Sequence, residues 1–195
     1  MESGMKYDYW FGPDDVDRRV KYQRSFRPEY QANGDDIDRR ISAVVTAFKS
    51  ETGIELPPGY SSGWRPGEVN EITSNAAKRS THLTANAGDK RDTIDGEFCW
   101  WCMRNEYRLV QHALWMEHPV ATLLRAWARA IAGKREPTPW CHLQSLPPSS
   151  HRRIYMPDVA AAPEWTAFLQ RGGYAGITFA DFQKLPAATA VRAKT

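Results

Sequence analysis

Ser80-Thr81-His82-Leu83-Thr84-Ala85-Asn86-Ala87-Gly88-Asp89 sets an imidazole and a carboxylate seven residues apart. Both are good zinc ligands, one through a ring nitrogen and the other through a carboxylate oxygen. On one straight strand they would point to opposite faces and stand ~23 Å apart, at ~3.3 Å per residue. Zinc needs each donor atom at ~2.0–2.2 Å. For both to reach one ion the chain must turn between them, and Ala85, Asn86, Ala87 and Gly88 are small or turn-prone enough to permit it. A His and an Asp at this spacing also occur often by chance. A third candidate ligand lies in Trp140-Cys141-His142-Leu143-Gln144, which reads as a strand. Neighbours in a strand face opposite ways, so only one of Cys141 and His142 can reach a metal, and Trp140 shares the face of His142. The plain alternative for His142 is a satisfied interior histidine.

Outward from these two stretches, the pattern alternates helices and short strands. Residues 1–34 read mostly as loop, laid across the body by Tyr7, Tyr9, Trp10 and Phe11. Asp35 to Glu51 reads as a helix, with Ile37, Ile41, Val44, Val45 and Phe48 at helical spacing and Gly53 after its end. Tyr60 to Trp64 is a short strand and Pro66 opens a short helix. Leu83 to Lys90 is extended or turning. One helix is expected over Glu97 to Val110, a strand over Ala113 to Glu117, a helix over Pro119 to Ala132, and strands over Trp140 to Leu146 and Arg153 to Met156. After Pro157 the chain becomes Ala-rich. A helix over Pro163 to Gln170 and a second near Phe179 to Leu185 make residues 158–195 a C-terminal helical extension to a domain spanning 1–157.

Composition bounds the rest. Of 195 residues, 42% are hydrophobic and 25% charged, which is globular and excludes wholesale disorder. A net charge of +3, from 26 Lys+Arg against 23 Asp+Glu, is too balanced to argue for a nucleic-acid partner. No run approaches the ~20 apolar residues of a membrane span. Three cysteines and no apolar leader argue against a disulfide framework and for a soluble protein made in the cytosol.

Taken together, Ser61-Ser62-Gly63-Trp64-Arg65-Pro66, Val69-Asn70, Ser80-x-His82-x6-Asp89 and Trp140-x-His142 resemble the zinc D-alanyl-D-alanine carboxypeptidases and phage murein endopeptidases. Their pattern runs roughly S-G-[YW]-R-[SP], V-N, S-x-H-x-x-G-x-A-x-D, W-x-H, and the likeness covers about residues 55–157. The WMEHP and WCHLQSLPP blocks look like its phage-type branch. The resemblance implies an α+β fold: a small antiparallel sheet with flanking helices, of the Hedgehog and DD-peptidase type. It implies that His82, Asp89 and His142 hold one Zn2+ with a fourth position for water. Arg65 would bind the substrate carbonyl or carboxylate and steady the oxyanion, and Ser80 would hydrogen-bond the substrate. The substrate would be a peptidoglycan stem peptide, reached after release from the cytosol or from a virion. Zinc that lowers its water's pKa from ~15.7 to ~7 contributes roughly 12 kcal/mol toward hydroxide at neutral pH.

Two departures matter. The pattern's glycine is Ala85 here. The family's acid/base carboxylate, three residues before the last histidine, is Pro139, which cannot move a proton. Glu117 on a neighbouring strand and Glu136 on a charged loop can stand in, and Glu117 is preferred because a strand fixes its direction. Failing both, the chain would be a non-catalytic module of the same fold that binds peptidoglycan or a phage partner. Cys99-Trp100-Trp101-Cys102 has redox or zinc spacing but reads as small core residues on a helix. His112 and His118 read as surface histidines. The Arg-rich helix between the WMEHP and WCHLQ blocks looks like an insertion. Its plainer reading is an amphipathic helix with a solvated basic face, and its alternative a wall or lid beside the site.

Overall fold

The computed structural model describes residues 21–22, 24–73, 76–157 and 176–184. Its first long element is α1 (Pro28–Thr52), which begins seven residues before the expected Asp35. Pro28 explains the early start: its fixed φ and missing N–H suit the first helical turn, and Arg27 before it is extended. Ile37, Ile41, Val44 and Phe48 are fully or almost fully buried along one stripe of α1, as the periodicity predicts. Each such side chain stabilises the fold by about 1.5–3 kcal/mol. Gly53 ends the helix in the left-handed region, at φ 73°, and donates to the Lys49 carbonyl.

Five strands form one sheet: β1 (Tyr60–Ser62), β2 (Ala87–Arg91), β3 (Trp115–Glu117), β4 (Trp140–Gln144) and β5 (Ile154–Tyr155), in the order β1-β2-β4-β3-β5. The sheet is mixed, which corrects the antiparallel expectation: β5 runs parallel to β3, pairing Met116 with Ile154 and Glu117 with Tyr155. The helices are α2 (Gly67–Ile72), α3 (Glu97–Arg104), α4 (Glu106–Gln111), α5 (Pro119–Gly133) and α6 (Phe179–Gln183). The helix expected over Glu97 to Val110 is broken in two at Asn105, whose φ −115°, ψ 44° is not helical. Its side chain donates to the Trp101 carbonyl, the kind of local bond that competes with a continuing helix.

Strand alternation separates the sheet's two faces. Cys141, Leu143 and Met116 are fully buried in the core with α1, Trp64, Phe98 and Trp101. The intervening residues of the same strands, Trp140, His142, Gln144 and Glu117, line a cavity on the other face. Gly88 lets α1 approach β2. A Cβ there would lie 3.0 Å from the Tyr60 ring and 3.2 Å from Ile41. A second core under α5 joins Trp100, Val120, Leu123, Leu124 and Trp127 to Phe182 of α6. The expected helix at Pro163 to Gln170 lies outside the described residues.

Candidate metal centre and cavity

The turn that the spacing of His82 and Asp89 demands is present. Thr81–Thr84 form one 3-10 turn, Ser80 caps it by accepting from the His82 N–H at 3.3 Å, and Ala85 closes it at φ 57°, ψ 26°. That left-handed conformation is one that glycine adopts without penalty, so an alanine here costs about 1–2 kcal/mol. Three bonds pin the turn to the segment after β1. The Arg65 N–H donates to the His82 carbonyl at 3.0 Å, Trp64 Nε1 to the Leu83 carbonyl at 3.2 Å, and the His82 ring binds the Gly63 carbonyl. The chain then enters β2, where Asp89 pairs directly with His142 of β4. Directly opposed residues share a face, so local turn and sheet register together gather all three side chains.

Their donor atoms converge. Asp89 Oδ1 lies 2.8 Å from His142 Nδ1 and 3.4 Å from His82 Nε2, and the two ring nitrogens are 3.3 Å apart. Donors ~2.1 Å from a tetrahedral ion stand ~3.4 Å from one another. Two of the three separations match that value, and the third is a direct hydrogen bond. All three residues are buried.

The outer contacts fit a metal as well. His82 Nδ1 faces the Gly63 carbonyl oxygen at 2.7 Å, and His142 Nε2 faces Gln144 Oε1 at 3.2 Å. Each acceptor holds a proton on the outer nitrogen, the arrangement that metal-binding histidines use. The inner nitrogen of neutral His82 keeps a lone pair, whereas that of His142 donates to Asp89 and gains one only when it gives up this proton. Gln144 is the hub of this arrangement. Its Nε2 donates to the Leu146 carbonyl, which fixes the amide's orientation. Its Oε1 accepts from Tyr155 Oη at 2.7 Å and Thr81 Oγ1 at 3.2 Å as well as from His142. Sequence reading passed over Gln144, although its position two residues beyond His142 on the same strand places it on the same face.

Electrostatics follow from this packing. Burial opposes ionisation of Asp89, but the His82 and His142 imidazoles beside it hold its carboxyl well below the usual carboxylate range. Burial lowers His82 and outweighs Asp89, so His82 is neutral. Burial also acts to lower His142, but the Glu117 charge and the bonded Asp89 prevail and push it up to about 9. A cation entering the triad therefore displaces a proton from His142. The buried His82–Asp89–His142 group can hold a metal ion.

The surrounding cavity of about 690 Å³ brings together Arg65, Ser80 and Glu117 with the triad. Arg65 donates to Ser62 Oγ at 3.3 Å and to Asn70 Oδ1 at 3.4 Å, which aims a fixed guanidinium along the cavity wall. Ser80 spends an acceptor lone pair on its cap and keeps its hydroxyl proton for donation. One step along the β3–β4 ladder, from the Met116–Leu143 pair, sets Glu117 opposite His142. Arg125 of α5 donates to Glu117 Oε2 at 3.2 Å. Glu136, the other carboxylate considered, is exposed and does not line the cavity. Helix α5 forms one wall of the cavity with half-buried Arg125 and with Arg129, which stays exposed, so its basic face is both solvated and cavity-lining. His118 also departs from the surface reading, since its Nδ1 caps α5 by accepting from the Val120 N–H at 3.3 Å. The three cysteines are buried free thiols, as the core reading holds, and burial raises the pKa of each. No helix among the described residues is long and apolar enough to cross a membrane. No family model, curated protein or solved structure matches the chain.

Proposed function

We propose that this chain is a zinc peptidase that hydrolyses a peptide bond in bacterial peptidoglycan stem peptides, with the Hedgehog-like fold of the carboxypeptidase and murein endopeptidase family. The observation that carries the proposal is the convergence of His82 Nε2, Asp89 Oδ1 and His142 Nδ1, each histidine backed by a carbonyl acceptor, inside a cavity that also holds Arg65 and Glu117. Two imidazoles and one carboxylate favour zinc over the harder ions that prefer all-oxygen sites. When bound, zinc supplies Lewis acidity and a water acidic enough to deprotonate near neutral pH.

The chain's own residues do the remainder. Glu117 is the group to take a proton from the attacking water and return it to the leaving amine. Its ion pair with Arg125 fixes where the carboxylate points. Arg65, always charged, faces the carbonyl oxygen as it gains negative charge. The Ser80 hydroxyl donates to the substrate backbone. The substitution of Pro139 at the family's usual carboxylate position is met by Glu117 from the adjacent strand.

The same Glu117–Arg125 ion pair favours one other reading, a module that binds wall peptides without cutting them. Purified murein incubated with the zinc-loaded protein separates the two. The peptidase releases peptide fragments, Glu117→Gln lowers the rate about 100- to 10,000-fold with zinc still bound, and Glu136→Gln leaves it unchanged. Wall binding without release of fragments by the wild-type protein would leave the module as the answer.

A further inference from the structure

Four arginines line the cavity: Arg65, Arg79, Arg125 and Arg129. Among the described residues only two carboxylates line it with them, and both are engaged: Asp89 lies between the two histidines and Glu117 is held by Arg125. Arg79 and Arg129 have no carboxylate partner among the described residues. The Arg129 guanidinium instead lies over the Trp140 ring, 5.9 Å from its centroid. Trp140 stands two residues before His142 on the same strand face, so this cation lies beside the face that carries the triad. A contact with an aromatic face uses none of the N–H donors of the exposed Arg129 guanidinium, and such a planar fork can receive a carboxylate through two parallel bonds.

We propose that Arg129 is the anchor for a substrate carboxylate distinct from the group that Arg65 faces, with Arg79 adding to the positive field, so that the cavity selects acidic peptides. The proposal deepens the peptidase reading and rests on it for the word peptide.

The test uses the zinc-loaded Glu117→Gln protein, to prevent turnover, and N-acetyl-L-Ala-γ-D-Glu-L-Lys-D-Ala-D-Ala as the probe. Two variants of the peptide carry an amide in place of the glutamate α-carboxylate or of the C-terminal carboxylate. Calorimetric titration should show that amidating one of the two weakens binding about 10-fold. In the added Arg129→Gln background that difference should fall below 2-fold, and Arg129→Lys should restore only part of it. Unchanged zinc content and melting temperature show that each variant is folded. Equal binding of all three peptides, no binding of any, or discrimination that survives Arg129→Gln would each overturn the proposal. Cleavage of the parent peptide by the wild-type protein is followed separately. Carboxylate discrimination without cleavage would retire the peptidase chemistry and keep the anchor, whereas cleavage without discrimination would do the reverse.

Discussion

Replacing Gln144 with methionine should damage the metal centre without touching a ligand. The side chain keeps its length and loses the oxygen that accepts from His142 Nε2, Tyr155 Oη and Thr81 Oγ1. His142 is 7% exposed, so its outer N–H has little access to replacement water. A buried donor left unpaired costs about 1–3 kcal/mol. Tyr155 and Thr81 are only half-buried and recover part of their loss from solvent, so the total should be about 3 kcal/mol of fold stability. Zinc affinity should fall about 10- to 100-fold, since the imidazole is no longer held in one tautomer. Competition against a chromophoric chelator reads the affinity, and chemical denaturation of the metal-free protein reads the stability. Gln144→Glu is the informative partner. Its carboxylate still accepts from His142, so zinc affinity should stay within about 3-fold. It cannot donate to the Leu146 carbonyl, so the fold should still lose about 1–2 kcal/mol. If Gln144→Met binds zinc as tightly as the wild type, Gln144 does not position His142 and the account of the hub is wrong.

Two further outcomes are expected. The metal-free protein should lose stability as pH rises from ~6.5 to about 9, because His142 stays charged up to about 9 in the folded chain but only to ~6.5 when unfolded. That contribution is complete below ~6.5 and amounts to at most about 3 kcal/mol. Melting temperatures across this range should therefore fall for metal-free protein and stay level for zinc-loaded protein, while zinc affinity climbs as the competing proton leaves. Gly88→Ala should cost about 1–3 kcal/mol in denaturant titration, because the new Cβ meets the Tyr60 ring and Ile41.

Strand alternation made much of the site legible. It sets His142 and Trp140 on one face and Cys141 on the other, and the same rule, applied one step further, reaches Gln144. That Glu117 shares this face needs the β3–β4 register, which only the structure supplies. The spacing of His82 and Asp89 required a turn, but the left-handed Ala85 that closes it conflicts with alanine's own preference and shows only in three dimensions. Helix α1 is readable from its apolar stripe, though its polar first turns carry no such signal and read as loop. The direction of β5 was not readable, because two residues say nothing about parallel or antiparallel pairing. Amphipathic spacing in α5 identified its buried side. It could not say that the opposite side looks into a cavity, which depends on how the helix is set against the sheet.

The seating of α5 ties distant parts of the chain to a common fate. Trp127 packs against Phe182 at 5.3 Å between ring centroids and donates to the Ile94 carbonyl at 2.8 Å, while Asp95 accepts from the Phe179 N–H at 2.8 Å. Neither Phe179 nor Phe182 lines the cavity, yet both pack on Trp127 of α5, the helix whose Arg125 and Arg129 do line it. Descendants of this chain therefore cannot remodel α6 freely. A smaller residue at Phe182 would call for a compensating one at Trp127, and lineages that part company at this joint should also part company in the ligands they choose.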